Sequence, residues 1–160
     1  MRLAFTVLGK AEPQGSARGF VPESWARAAV AQGKAPRAVI TSDNPANKAW
    51  RKDVAYSALS AMRGTGMAPP MVDGRVVDLA VTFYLPRPKH LKGDPDHLTT
   101  PDLDKLVRSV CDALKGICWS DDKLVGQIVA AKRYAEAVTN PADPRTPGPR
   151  AEIVVSTSDV

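Results

Sequence analysis

Residues 103–117, LDKLVRSVCDALKGI, constrain the fold of this 160-residue chain more than any other segment. At 100° per residue, Leu103, Leu106, Val107, Val110, Ala113, Leu114 and Ile117 fall within an arc of about 120°. Asp104, Arg108, Asp112 and Lys115 occupy the opposite side. Such a stripe specifies a helix laid on an apolar surface, so the remainder of the chain has to supply that surface. Gly116 and the Trp119-Ser120-Asp121-Asp122 turn are expected to end the helix, about 22 Å from its start.

The surface is legible as strands. Residues 75–85 alternate, with Val77, Leu79, Val81, Phe83 and Leu85 on one face. Leu3–Leu8, Val39–Thr41, Gln127–Ala135 and Ala151–Thr157 read as further strands. Pro13-Gln14-Gly15-Ser16 and Gly64–Gly74 are turn and loop chemistry. A second long helix is expected over residues 46–62, where Trp50, Val54, Ala58 and Met62 recur at helical spacing after the start signal Ser42-Asp43-Asn44-Pro45. Residues 16–38 read weakly, with a short helix expected over Glu23–Gln32. The order β, β, α, β, α, β, β, without repeats or a linker, predicts one domain over residues 1–160. Its fold class is α/β (α+β), a mixed sheet with two main helices.

Charge narrows the function without fixing it. Of a formal net charge of +5, residues 1–63 contribute ten Lys/Arg against four Asp/Glu, while residues 102–125 hold four Lys/Arg against five Asp. A basic body around an acidic spot suits binding of a polyanion about a cation. No run approaches a membrane span. The first residues lack a cleavage signal. Cys111 and Cys118 are too few for a disulfide framework and too far apart for a typical zinc pair, so a cytoplasmic location is expected.

The chemistry concentrates in Pro101-Asp102-Leu103-Asp104, with Asp121-Asp122 following. Taken singly, each acid has an ordinary structural use: Asp caps helices, complements a helix dipole in the first turn, and serves in turns. Brought together, two or three carboxylates about 4 Å apart would repel by roughly 4 kcal/mol per pair at an effective dielectric of 20. A hard divalent ion relieves that repulsion and favours few carboxylates, leaving sites for water and phosphate. Spacing alone leaves open whether Asp122 meets the other two. The loop PRPKHLKGDPDHLTTP carries His90 and His97 and reads as solvated. Trp25 and Trp50 are candidates for stacking on bases, with Trp50 also on the apolar stripe. Arg18, Arg27, Arg37, Arg51 and Lys52 are candidate phosphate contacts as a group.

The run PDLDKLVRSVCDALKGICWSDDKLV resembles the signature of the RusA Holliday-junction resolvases. The resemblance is carried by Pro101-Asp-Leu-Asp104, Asp112-Ala-Leu114, Trp119, Asp121-Asp122 and Lys132. Weaker similarity at Pro13–Ser16, Thr41-Ser42 and Gly148 extends it over most of the chain, with residues 20–38 as a family-variable insertion. The resemblance implies a homodimeric nuclease, typically carried by phages and prophages, that nicks four-way DNA junctions with Mg²⁺, Mn²⁺ being a substitute. Asp102, Asp104 and Asp122 correspond to its metal-binding carboxylates, and a catalytic lysine of the family falls on Arg108. Arginine neutralises phosphate charge but does not donate a proton near neutral pH, so Lys105 or Lys132 is the alternative cation. DNA contacts are expected at Arg18, Arg51, Lys52, Lys105 and Lys132. Two other readings stand beside this one: a catalytically inactive branched-DNA-binding protein on the same scaffold, and a module for another phosphorylated ligand, for which the chain leaves little room.

Overall fold

The computed structural model describes residues 1–42, 44–136 and 147–157; the side chains of residues 17, 18 and 40–42 lie outside the description. Nine elements follow in chain order: β1 (Arg2–Leu8), β2 (Ala17–Phe20), α1 (Glu23–Ala31), β3 (Val39–Ser42), α2 (Ala46–Thr65), β4 (Val77–Leu85), α3 (Leu103–Leu114), β5 (Val125–Tyr134) and β6 (Arg150–Thr157). A one-turn 3₁₀ segment, Asp122–Leu124, precedes β5.

Four strands form a mixed sheet in the order β1-β6-β4-β5. β6 pairs antiparallel with both β1 and β4, whereas β4 and β5 are parallel and are joined through α3. A parallel pair needs a crossover of this kind, and the apolar stripe of α3 supplies it. The alternation expected in β4 holds: Val77, Leu79, Val81, Phe83 and Leu85 are all buried. They meet Leu3 and Val7 of β1, Ala151, Ile153 and Val155 of β6, and the inward faces of the two long helices. Trp50, Val54, Ala58 and Met62 of α2 and Leu106, Val110, Ala113 and Leu114 of α3 complete the core, so Trp50 is interior. Each of the larger aliphatic and aromatic side chains contributes about 1.5–3 kcal/mol on burial.

Buried polar groups lock the two helices to the segment after β1. Asn47 donates from Nδ2 to Ser109 Oγ at 2.6 Å and to the Glu12 carbonyl at 3.0 Å. The amide of Gln14 donates to the Lys105 carbonyl at 3.0 Å. Residues 11–14 therefore lie along the head of α3.

α3 stops three residues earlier than the apolar pattern suggests. Lys115 leaves helical backbone, and Gly116 takes a φ of +80°, a conformation that costs glycine little. Ile117 and Cys118 then accept hydrogen bonds from the amides of Met71 and Val72, which divert them from the helix. β2 was not legible. It pairs with β3 as a separate two-stranded ribbon, with α1 between the two strands in sequence. Residues 137–146, between β5 and β6 in sequence, lie outside the described residues. No described helix is long and apolar enough to cross a membrane.

Candidate active site

Asp102 takes the N-cap position of α3, with extended backbone at φ −67° and ψ 135°, yet its carboxylate makes no capping hydrogen bond. This is the residue type that usually caps a helix, at the position where it usually does so. The carboxylate instead projects into solvent, 57% exposed, with Lys105 Nζ 3.4 Å away. Asp104 lies in the first turn, exposed, and no described residue pairs with it. One helical turn on, Arg108 is exposed and likewise makes no ion pair with a described residue.

The approach to this head is fixed from β5. Lys132 Nζ donates to the carbonyls of Thr99 at 2.6 Å and Pro101 at 3.1 Å, the residues leading directly into Asp102. Lys132 thus spends its donors on the protein backbone. His97, expected in a solvated loop, is buried, its ring 4.3 Å from that of Tyr134 on β5. Burial, and then the nearby Lys132 ammonium, lower its pKa from the ordinary histidine value.

A cavity of about 350 Å³ opens beside Asp102, lined by Lys10, Glu12, Pro13, Thr100, Pro101 and Lys105. Glu12, not among the residues expected at a site, is mostly shielded there and pairs with Lys10 at 3.0 Å. Its one sequence signal is its place directly before the Pro13–Ser16 turn.

Asp122 lies at the other end of α3. Its Oδ1 accepts from the indole of Trp119 at 3.0 Å, and its Oδ2 is 3.3 Å from Lys115 Nζ. That contact, ahead of the charges on Asp122 and Asp121, raises the Lys115 pKa. Asp121 accepts from the Lys123 amide and so caps the 3₁₀ turn; this bond first, and Lys115 second, lower its carboxyl pKa. Asp104, Arg108, Cys111 and Lys115 share one face, and from Asp104 to Lys115 the helix rises roughly 16 Å. The structure puts Asp102 and Asp104 at the same end of α3 and Asp122 at the other. Among the described residues, no three His, Cys, Asp or Glu side chains are grouped to hold a metal ion.

The remaining expected DNA contacts divide. Arg51 bonds the Asp112 carbonyl at 3.1 Å and lies 3.7 Å from the Asp112 carboxylate, while Lys48 and Lys52 line the same 360 Å³ groove between α2 and α3. The Arg18 side chain is outside the described residues. Cys111 and Cys118 are free thiols.

No curated protein matches the chain. The family model for Endodeoxyribonuclease RusA matches residues 20–140, a span that takes in the acidic head of α3, Asp122, Lys132 and the whole of residues 20–38. With three quarters of its length matched, and with the mixed sheet and α3 already in place, the chain belongs to the RusA endodeoxyribonuclease family.

Proposed function

We propose that the protein is a Mg²⁺-dependent endonuclease that resolves four-way DNA junctions and other branched DNA in the cytoplasm, acting as a homodimer and as one domain over residues 1–160. The observation that carries this reading is Asp102: a carboxylate at a helix N-cap that does not cap, in the same helix start as Asp104, with which no described residue pairs. Two exposed oxygen donors with open sides match a hard ion that keeps several waters and takes phosphate oxygens. Asp102 and Asp104 would hold Mg²⁺, or Mn²⁺ in its place, and the ion when bound lowers the pKa of water and stabilises charge on a scissile phosphate. Asp122 is the third ligand of the proposed set; it stands at the far end of α3, so the segment from Lys115 to Leu124 has to rearrange, beginning with loss of the Lys115 ion pair, for it to join the other two.

The chain's own part is electrostatic and positional. Arg108, one turn from Asp104, neutralises charge growing on the phosphate, the role an arginine retains where the family has lysine. Lys105 keeps Asp102 oriented and faces the incoming backbone. Arg51 and Lys52, with Arg18, attract and seat the DNA arms through phosphate contacts. Lys132 fixes the peptide that presents Asp102. Two such sites on a dimer would cut opposed strands.

The test is a synthetic four-way junction incubated with the protein in Mg²⁺ and in EDTA. Asp102→Asn, Asp104→Asn and Asp122→Asn are each expected to abolish cutting while retaining or tightening junction binding, because phosphate repulsion falls. Parent-like cleavage by all three removes the site assignment. The separation of Asp122 from its companions and the arginine at 108 favour a second reading, a branched-DNA-binding protein without catalysis. It predicts salt-sensitive junction binding and no product with any divalent ion.

A further inference from the structure

α1 is a helix without a buried residue. It links the two strands of the β2–β3 ribbon in sequence, and residues 17–42 expose large apolar side chains: Phe20 is 51% exposed, Trp25 58% and Val30 69%. The other two tryptophans, Trp50 and Trp119, are buried in the core. An indole left in water on an otherwise Ala-rich helix does nothing for the fold.

Charge says what could cover it. Residues 17–42 hold Arg18, Arg27, Lys34 and Arg37 against Glu23 alone, three of the chain's five net positive charges in 26 residues. Apolar protein surfaces are usually covered by apolar partners, whereas aromatic side chains interleaved with cations match unstacked bases on a phosphate backbone. The place of the segment agrees. Both of its roots are fastened beside the Asp102 cavity: Gln14 bonds Lys105 of α3, and on the return leg Asn44 Nδ2 donates to the Pro13 carbonyl at 2.9 Å. A ribbon of four residues per strand carries the chain roughly 13 Å outward from those roots.

From this we infer that residues 17–42 form an arm that engages unpaired bases of branched or single-stranded DNA, with Trp25 and Phe20 as stacking platforms and Arg27, Lys34 and Arg37 on the adjacent phosphates. The inference rests on the endonuclease reading for its choice of DNA, and it adds what the acidic site lacks, a means of telling a branch point from a plain duplex.

Binding is measured in EDTA by fluorescence anisotropy with a four-way junction, a matched linear duplex and a single-stranded oligonucleotide. Parent, Trp25→Phe, Trp25→Ala and Phe20→Ala/Trp25→Ala proteins are compared. The double variant is expected to bind junction and single strand about tenfold or more weakly while its duplex binding changes little, with Trp25→Phe keeping most of the affinity. Parent tryptophan emission should be quenched by single-stranded DNA and not in Trp25→Phe. The arm is overturned by a double variant that binds the junction like the parent, by equal losses on junction and duplex, or by unquenched emission. A change in self-association on light scattering without any change in DNA binding overturns it too, in favour of a second copy of the chain. The two proposals fail separately: a parent that cuts junctions beside an unaffected double variant removes the arm alone, and quenching by single strands from a parent that never cuts removes the nuclease alone.

Discussion

Lys132 on β5 is hydrogen-bonded through Nζ to the carbonyl of Pro101, 3.1 Å away, the residue immediately before Asp102. A cation on a strand thereby sets where a carboxylate on a helix begins. Lys132→Met should cost about 1–2 kcal/mol of stability, since two carbonyls lose a charged donor. Junction cleavage should fall at least tenfold with junction binding in EDTA retained, and Lys132→Arg should recover part of the rate. A rate loss matched by an equal binding loss would make Lys132 a DNA contact instead.

His97 reports on the same strap. Its pKa is lowered by burial and by Lys132. Neutral His97 therefore contributes stability that is present above the unfolded value near 6.5 and is lost as pH falls through the lower folded value. Proton NMR of the imidazole should show titration below 6.5, moving part of the way back in Lys132→Met. An unchanged midpoint in that variant would separate the two groups.

Arg108 stands where the family lysine is expected. With electrostatic neutralisation as its role, Arg108→Lys should keep cleavage within about tenfold, whereas Arg108→Ala should lose about 10²-fold or more in rate at saturating DNA. Single-turnover kinetics distinguish this from weakened binding.

Lys115 holds Asp122 at 3.3 Å. Lys115→Met should release Asp122 Oδ2, leaving only the Trp119 indole on Oδ1, and lower the Mg²⁺ concentration needed for half-maximal cleavage. By carbon-13 NMR the Asp121 carboxyl pKa should rise only partly toward its ordinary value, because the Lys123 amide, the larger cause of its lowering, stays in place. A metal requirement that does not move argues that Asp122 acts where it is.

The thiols offer a check on the core. Burial pushes Cys111 up to about 11 and Cys118 up to about 12. Both should resist a disulfide reagent at pH 8 in the folded protein and react at once in denaturant. Because the folded values are raised, the thiols' contribution is full below about pH 8.5 and is lost as pH climbs through about 11 for Cys111 and about 12 for Cys118.

The parts of the fold governed by local periodicity were legible in advance. The stripe of α3, the alternation of β4 and the repeat of Trp50, Val54, Ala58 and Met62 each specify one element and one face. β2 was not, because Ala-Arg-Gly-Phe has no alternation to read and its partner, Val39–Ser42, lies about twenty residues on. The same limit governs the site. The pattern placed Asp102 and Asp104 at a helix head from Pro101 alone, but where Asp122 goes depends on Gly116 and on the amides of Met71 and Val72, which recruit the chain after α3. His97 was misread as solvated because nothing local announces that its loop folds back onto Tyr134.

The last described strand, β6, lies between β1 and β4, so the first strand of the chain touches the sheet only through it. While the polypeptide is being made, both long helices can emerge and still have half a floor to rest on. Assembly of the interior thus waits for residues 150–157, and a nascent or clipped chain lacking them would leave two bare strand edges open to other molecules.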